Sequence, residues 1–229
     1  MQKQSVKWST FMLLFSSTFV FLCLVYLLFG AQMPIALTAL SKATPILMLV
    51  WLAWRRLGQH LSTWISLALV FSACGDLLLA LPLQHGFMLG LGSFACAHIC
   101  YCLGFFRYLK WQSHKLSYLL ILALGVGIAL TFVLPHVGAL YWPVVAYMCV
   151  ISLMALCAIG ASRQTLYLPL GALLFVLSDA LLAINKFVYA LPYDLWLVML
   201  SYYAAQYCLL RGSLQLAASL AQDKHHAPT

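Results

Sequence analysis

Glutamate is absent from this 229-residue chain and aspartate occurs only four times, against twelve lysines and arginines. Charged residues make up 7% of the sequence, where a soluble domain carries roughly 25% to keep its surface hydrated. A water-facing globular surface is therefore excluded. The motifs of several enzyme classes are missing as well. There is no Gly-x-Ser-x-Gly elbow, no His-Glu-x-x-His, no pair of histidines at helical spacing inside a segment, and neither a P-loop nor a dinucleotide-binding motif. A zinc site needs three protein ligands and an open position. Only His98 lies well inside an apolar run, with His85 and His136 in loops and His225 and His226 in the tail. No metal and no other cofactor is expected.

Apolar sequence is abundant. The hydrophobic fraction is 65% and the mean hydropathy +1.00. In hydrocarbon every backbone amide must be satisfied internally, which leaves helices or a closed barrel. The apolar runs approach 20 residues without strand-like alternation, so helices are the expectation. They cover approximately 10–29, 35–54, 62–81, 87–106, 116–134, 139–159, 166–185 and 193–210. The first, Thr10 to Phe29, is too long for a cleaved signal and lacks a small-residue cleavage pattern. The predicted fold is all-α: a polytopic transmembrane bundle of about eight helices, one domain over 1–211 with a short cytoplasmic tail at 212–229. The eight cysteines all fall in apolar runs, which fits packing rather than a disulfide framework. Trp8, Trp51, Trp54, Trp111, Tyr141 and Trp142 sit near segment ends, as interfacial belts do.

Short connections force successive helices to run antiparallel. With a cytoplasmic N-terminus, that side receives Lys3, Lys7, Arg55, Arg56, Arg107, Lys110, Lys115, Arg163, Arg211 and Lys224, and the other side only Lys42 and Lys186. This is a positive-inside distribution. It predicts an integral protein of a bacterial inner membrane with both termini cytoplasmic. It also accounts for the basic balance through anionic lipid headgroups, so no nucleic-acid partner is expected. The oligomeric state stays open.

Two stretches resemble each other: Phe71–Ala80, with Asp76, and Leu174–Ala183, with Asp179. Each precedes a helix containing Tyr-Cys-Leu, at Tyr101 and Tyr207. An offset of four helices makes the copies parallel, so either two pseudo-repeats of four or convergence of a packing pattern explains them. Asp76 and Asp179 are embedded in apolar sequence, where an ionised carboxylate is expensive unless it faces the interior and finds a partner. Both are expected at similar depth, roughly 8–10 Å below the outer boundary. Lys42 enters from the same side. Two carboxyls close together would hold one proton between them, the pattern of an acid and a base for one reaction. A purely structural ion pair is the alternative. Ser72, His98, Tyr101, Asn185, Tyr202, Tyr203 and Gln206 fall on faces that would line the same cavity, with His98 deeper than the aspartates.

At these residues the chain resembles the YhhN family of membrane proteins. The similarity lies in Ser72-x-x-Gly75-Asp76, in Gly90-Leu91-Gly92-Ser93-Phe94 leading to Ala97-His98-x-x-Tyr101, in Gly171 through Ser178-Asp179 to Asn185-Lys186-Phe187, and in Tyr202-Tyr203-x-Ala205-Gln206. The family usually carries Lys-Pro at the entry to the second helix, whereas Lys42 and Pro45 are separated here. The resemblance implies a lysoplasmalogenase, an ether hydrolase of lipid metabolism. Its substrate would be a lysoplasmalogen within surrounding membrane phospholipid, and Asp76 and Asp179 would be the catalytic carboxyls. The rivals are a lipid or small-molecule transporter and a non-catalytic lipid-binding protein. Transporters commonly interrupt helices near the midplane, whereas Pro45, Pro143 and Pro169 are expected near helix starts. The sidedness is tested by fusing a reporter active only in the cytoplasm to the C-terminus. Activity is the expected result, and activity only of an extracytoplasmic reporter would invert the topology.

Overall fold

The computed structural model describes the backbone over residues 2–112, 115–163 and 166–226, and side chains from residue 9 to residue 223 within those stretches. The readings placed on Lys3, Lys7, Trp8, Lys224, His225 and His226 concern side chains outside the described ones. Eight helices follow one another: α1 (Gln2–Phe29), α2 (Ile35–Arg56), α3 (Gln59–Ala80), α4 (Gly86–Phe106), α5 (Leu116–Val133), α6 (Tyr141–Ala161), α7 (Tyr167–Phe187) and α8 (Asp194–His226). Single 3-10 turns occupy Gly30–Gln32, Leu134–His136 and Gly138–Leu140. The expected polytopic helical bundle is what forms.

Among the described residues seven helices are long and apolar enough to cross a membrane by length and composition. The exception is α8, because Tyr202, Tyr203, Gln206, Tyr207 and Arg211 dilute its apolar character. Its polar groups face protein rather than lipid. Tyr202, Tyr203 and Gln206 are 3%, 2% and 0% exposed, so the bundle supplies the surroundings that lipid would not. The helix also runs through the boundary expected at residue 211. Ser213 and Leu216 are buried, and Arg163, in the α6–α7 connection, pairs with Asp223 near the far end of α8. Over its described residues, 212–223, the segment read from sequence as a tail continues α8 as a helical extension packed through Ser213 and Leu216.

The most extensive packing joins α3 to α4, α7 to α8, α2 to α3 and α4 to α6, with α1 and α5 on the outside. Close approach depends on missing side chains. A Cβ on Gly171 would stand 2.8 Å from the backbone nitrogen of Leu209 and 3.0 Å from the Ala205 carbonyl oxygen, so α7 meets the α8 main chain directly. A Cβ on Gly75 would stand 2.7 Å from the Phe94 ring, which lets that ring lie beside the turn carrying Asp76. Pro45 lies within α2, ten residues past its start, and not at the helix entrance. The prediction failed because the apolar run begins at Ile35, well before the proline.

At the opposite end from the aspartates the α4–α5 connection folds under the bundle. Lys115 is 1% exposed. Its ammonium donates to the carbonyl oxygens of Lys110 at 2.6 Å, Gly160 at 2.9 Å and Ser162 at 2.6 Å. The carbonyls at the end of α6 have no intrahelical partners, and a cation there also opposes the negative end of the helix dipole. Lys115→Met should therefore lower stability by about 1–3 kcal/mol without altering the outer half of the bundle. Thermal unfolding in detergent checks this, and an unchanged midpoint would contradict it.

Candidate active site

The buried carboxyl of Asp76 on α3 is 1% exposed and is reached from two other helices. The Lys42 ammonium on α2 stands 3.4 Å from Oδ1, and the Tyr202 hydroxyl on α8 donates to Oδ2 at 2.7 Å. Tyr203, next along α8, donates its hydroxyl to the Lys42 carbonyl oxygen at 2.9 Å. One negative charge thus ties α2, α3 and α8 at a single level.

Asp179 on α7 has its own set of partners. Tyr147 on α6 donates its hydroxyl to Oδ2. That bond uses the phenol's only proton, so the 3.0 Å contact between Tyr147 and His98 Nε2 is one in which the imidazole donates. His98 Nε2 also stands 3.6 Å from Asp179 Oδ2. His98 is 0% exposed, and its Nδ1 atom has no partner. Expected deeper than the aspartates, the histidine stands twelve residues inside α4, a rise of about 18 Å, and its ring reaches Asp179 on α7.

The two centres differ in access. Asp179 and Tyr147 line an apolar cavity of about 70 Å³ between α4, α5, α6 and α7, walled by Phe94, Val126, Ala129, Val144, Met148, Ile151 and Val176. Asp76 is not among its walls. Between the carboxyls stands an aromatic cluster in which Phe94, Phe175 and Tyr202 meet edge to face at centroid distances of 5.6–6.3 Å. The depths differ too. Asp76 lies four residues before the end of α3 and Asp179 eight before the end of α7, a rise of about 6 Å against about 12 Å.

The arrangement follows the repeat seen in the sequence. Asp76 takes one partner from α2, in its own half, and one from α8, in the other. Asp179 takes one from α6, in its own half, and one from α4, in the other. The helix packing matches, since α3–α4 mirrors α7–α8 and α4–α6 mirrors α2–α8.

The remaining expected residues divide. Tyr101 donates its hydroxyl to Gln206 Oε1 at 2.6 Å, linking α4 and α8 more deeply in the bundle. Ser72 bonds the Ala68 carbonyl oxygen of its own helix and reaches no other expected site residue. Asn185 does not join the cavity. Its amide donates to Asp194 Oδ2 at 2.9 Å and accepts from the Leu191 backbone at 2.8 Å. It closes the α7–α8 turn, in which Tyr193 adopts a left-handed φ of 57°. Helical spacing had placed it on the Asp179 side, but the helix ends there and the side chain serves the turn. Tyr147 was missed. Its signal was a tyrosine six residues inside α6, away from the interfacial belt, at the level that Lys42 occupies in α2.

One buried and one half-buried carboxyl in a polytopic helical bundle, the second lining an apolar cavity, define a membrane protein with a candidate site between its helices. The chain belongs to the YhhN family, whose family model matches residues 37–213. It is 34% identical to Lysoplasmalogenase TMEM86B of Mus musculus over 86% of this chain and 85% of that one. It is 32% identical to Lysoplasmalogenase TMEM86A of Bos taurus over 84% and 85%, and 30% identical to Lysoplasmalogenase of Mycobacterium tuberculosis over 80% and 68%. No solved structure matches.

Removing one partner of a buried ion pair leaves an uncompensated charge, at about 3–5 kcal/mol. Lys42→Met should therefore destabilise the bundle by that amount, and adding Asp76→Asn should restore much of it. Equal stability of Lys42→Met and the unaltered protein would show that the pair contributes nothing.

Proposed function

We propose that this protein is a lysoplasmalogenase. It hydrolyses the vinyl-ether bond of a lysoplasmalogen to a fatty aldehyde and glycerophosphoethanolamine or glycerophosphocholine. The curated relatives carry that activity in their names. The observation that supports it within this chain is the Asp179 carboxyl, held by Tyr147 and opening on an apolar cavity. That is the surrounding an alkenyl chain needs, with a proton donor at its wall.

The chemistry begins with a proton passing from Asp179 to the distal alkene carbon. The double-bond electrons form the new C–H bond and leave an oxocarbenium ion. The Asp179 carboxylate then faces the cation and takes a proton from water as the water oxygen adds to the carbon bearing the ether oxygen. Collapse of the hemiacetal breaks the C–O bond, with the proton going to the departing glycerol oxygen. Oδ2 is engaged by Tyr147, so Oδ1 is the atom for transfer. His98 positions Tyr147, and Tyr147 positions the carboxyl. Asp76, closed off with Lys42 behind the aromatic cluster, serves as a positioning residue. It fixes Tyr202, and through Tyr202 the rings of Phe94 and Phe175 that wall the reacting bond.

Sites that enclose a ligand measure roughly 300–1,000 Å³, so a cavity of about 70 Å³ is a closed form. Of the seven apolar spans α5 is the least buried, at 17% of its most apolar stretch, and it contributes Val126, Ala129 and Val133 to the cavity. Displacement of α5 is the route by which a single-chain lipid enters from the bilayer. The charge asymmetry supports an inner-membrane location with both termini cytoplasmic, which puts this entry in the outer half of the bilayer.

The test is aldehyde release from lysoplasmalogen by purified variants whose folding has been verified. Asp179→Asn should lose about 10²- to 10⁴-fold in turnover and Tyr147→Phe about tenfold, whereas Asp76→Asn should lose stability and activity together. Near-normal turnover by Asp179→Asn would overturn the assignment. Lipid flux in proteoliposomes without aldehyde release would favour the transport reading.

A further inference from the structure

A second concavity lies at the end of the bundle opposite the carboxyls, where α2 and α4 finish, α3 begins and the extension of α8 passes beneath. It measures about 1040 Å³ and is lined by Arg56, Arg107, Arg211, His60, Tyr108 and Gln215, among others. Three arginines thus line one basin, and among the described residues no aspartate lines it. Each of the chain's four aspartates is engaged elsewhere: Asp76 with Lys42, Asp179 with Tyr147, Asp194 with Asn185 and Asp223 with Arg163.

Positive residues at this end answer to the anionic leaflet in general, and that alone makes no site. The inner wall adds a more specific feature. His60 Nε2, Arg211 Nε and Gln215 Oε1 are each buried and each lack a hydrogen-bond partner. A buried polar atom left unpaired costs about 1–3 kcal/mol, and three residues that line this one basin each carry one, closed off behind its wall. The groups around them are held in place. The His60 ring packs edge to face on Tyr108 at 5.9 Å, the Arg211 guanidinium lies over the Tyr167 ring at 5.8 Å, and the Arg56 guanidinium lies over Phe11 at 5.4 Å. Turning the Gln215 amide presents its NH₂ group, since its oxygen and nitrogen exchange places by rotation. Rotated toward the basin, His60 Nε2 as the N–H tautomer, Arg211 Nε–H and the Gln215 amide would supply donors for one acceptor-rich anion.

We propose that this basin binds a phosphate ester, at a site separate from the carboxyl centres. Planar guanidiniums recognise phosphate oxygens through paired hydrogen bonds, and a volume of about 1040 Å³ has room for a headgroup. The separation is large. His60 and Asp76 lie sixteen residues apart on α3, a rise of about 24 Å, whereas the phosphate of a lysolipid lies only a few bonds from its ether oxygen. One substrate molecule cannot occupy both places. The bound group is either the headgroup of an anionic phospholipid of the adjacent leaflet or a water-soluble phosphate ester, and the chemistry of recognition is the same.

The experiment uses the purified full chain in a neutral detergent. Binding and thermal midpoint are measured with glycerol phosphate, with dihexanoyl phosphatidylglycerol below its micellar concentration, with dihexanoyl phosphatidylcholine, and with sodium chloride at matched ionic strength. A stabilising response to the phosphatidylglycerol is expected, and Arg107→Gln with Arg211→Gln should weaken binding about tenfold or more. The Arg107→Lys and Arg211→Lys protein should retain part of it, and Asp179→Asn should bind as the unaltered protein does. A response to glycerol phosphate as well assigns the site to the ester alone, and a response to the lipid only assigns it to the headgroup. Sodium chloride or phosphatidylcholine matching the phosphatidylglycerol effect would overturn the proposal. So would unchanged affinity in the double glutamine variant. If that variant does not fold, His60→Gln and Gln215→Leu replace it, and unchanged affinity in both overturns the proposal equally.

Discussion

Negative charge held in an apolar interior is the constraint on which this structure turns. A carboxylate removed from water without partners costs several kcal/mol even after relaxation, and the bundle meets that cost twice. Asp76 receives an ammonium and a phenol from α2 and α8. Asp179 receives a phenol from α6 and stands beside an imidazole from α4. Each carboxyl therefore recruits helices distant in sequence, and the six helices so engaged form the inner part of the bundle. The two outside this network, α1 and α5, are the peripheral ones.

The two solutions are alike in plan and opposite in chemistry. Where α2 offers Asp76 a full positive charge, α6 offers Asp179 a neutral hydroxyl, and where α8 offers a tyrosine, α4 offers a histidine. The charged pair is closed off at 1% exposure of Asp76, while the neutral partners surround a carboxyl that opens on a cavity. One centre is thus closed by an ion pair, and the other opens on a cavity. The ring cluster of Phe94, Phe175 and Tyr202 separates them and depends on Gly75, whose missing side chain leaves room for Phe94.

Polarity also separates along the membrane normal. The carboxyls, with Lys42 and His98, lie toward one end of the bundle, and the opposite end gathers arginines, Lys115 and the α8 extension. Lys115 and the basin at that end show the same physics from the other side of the charge scale. A buried cation finds three carbonyl oxygens, and beside the basin His60 Nε2 and Arg211 Nε are buried without partners.

Hydropathy and the cost of charge in oil were enough to read from sequence the helical class, the helix order and the two aspartates on which the site is built, because both are local properties of a chain in a membrane. Lys42, His98, Tyr202 and Gln206 were legible for the same reason: polar groups inside apolar runs demand an explanation. Which partner belongs to which aspartate was not legible. A helix position fixes height and face within its own helix but not the rotation of that helix against its neighbours, so the contact of His98 with Asp179 was not foreseen, Asn185 was assigned to a cavity it does not reach, and Tyr147 was not singled out. Tertiary packing alone decided that Lys42 stands by Asp76, that Tyr147 and His98 stand by Asp179, and that only one of the two carboxyls faces the cavity.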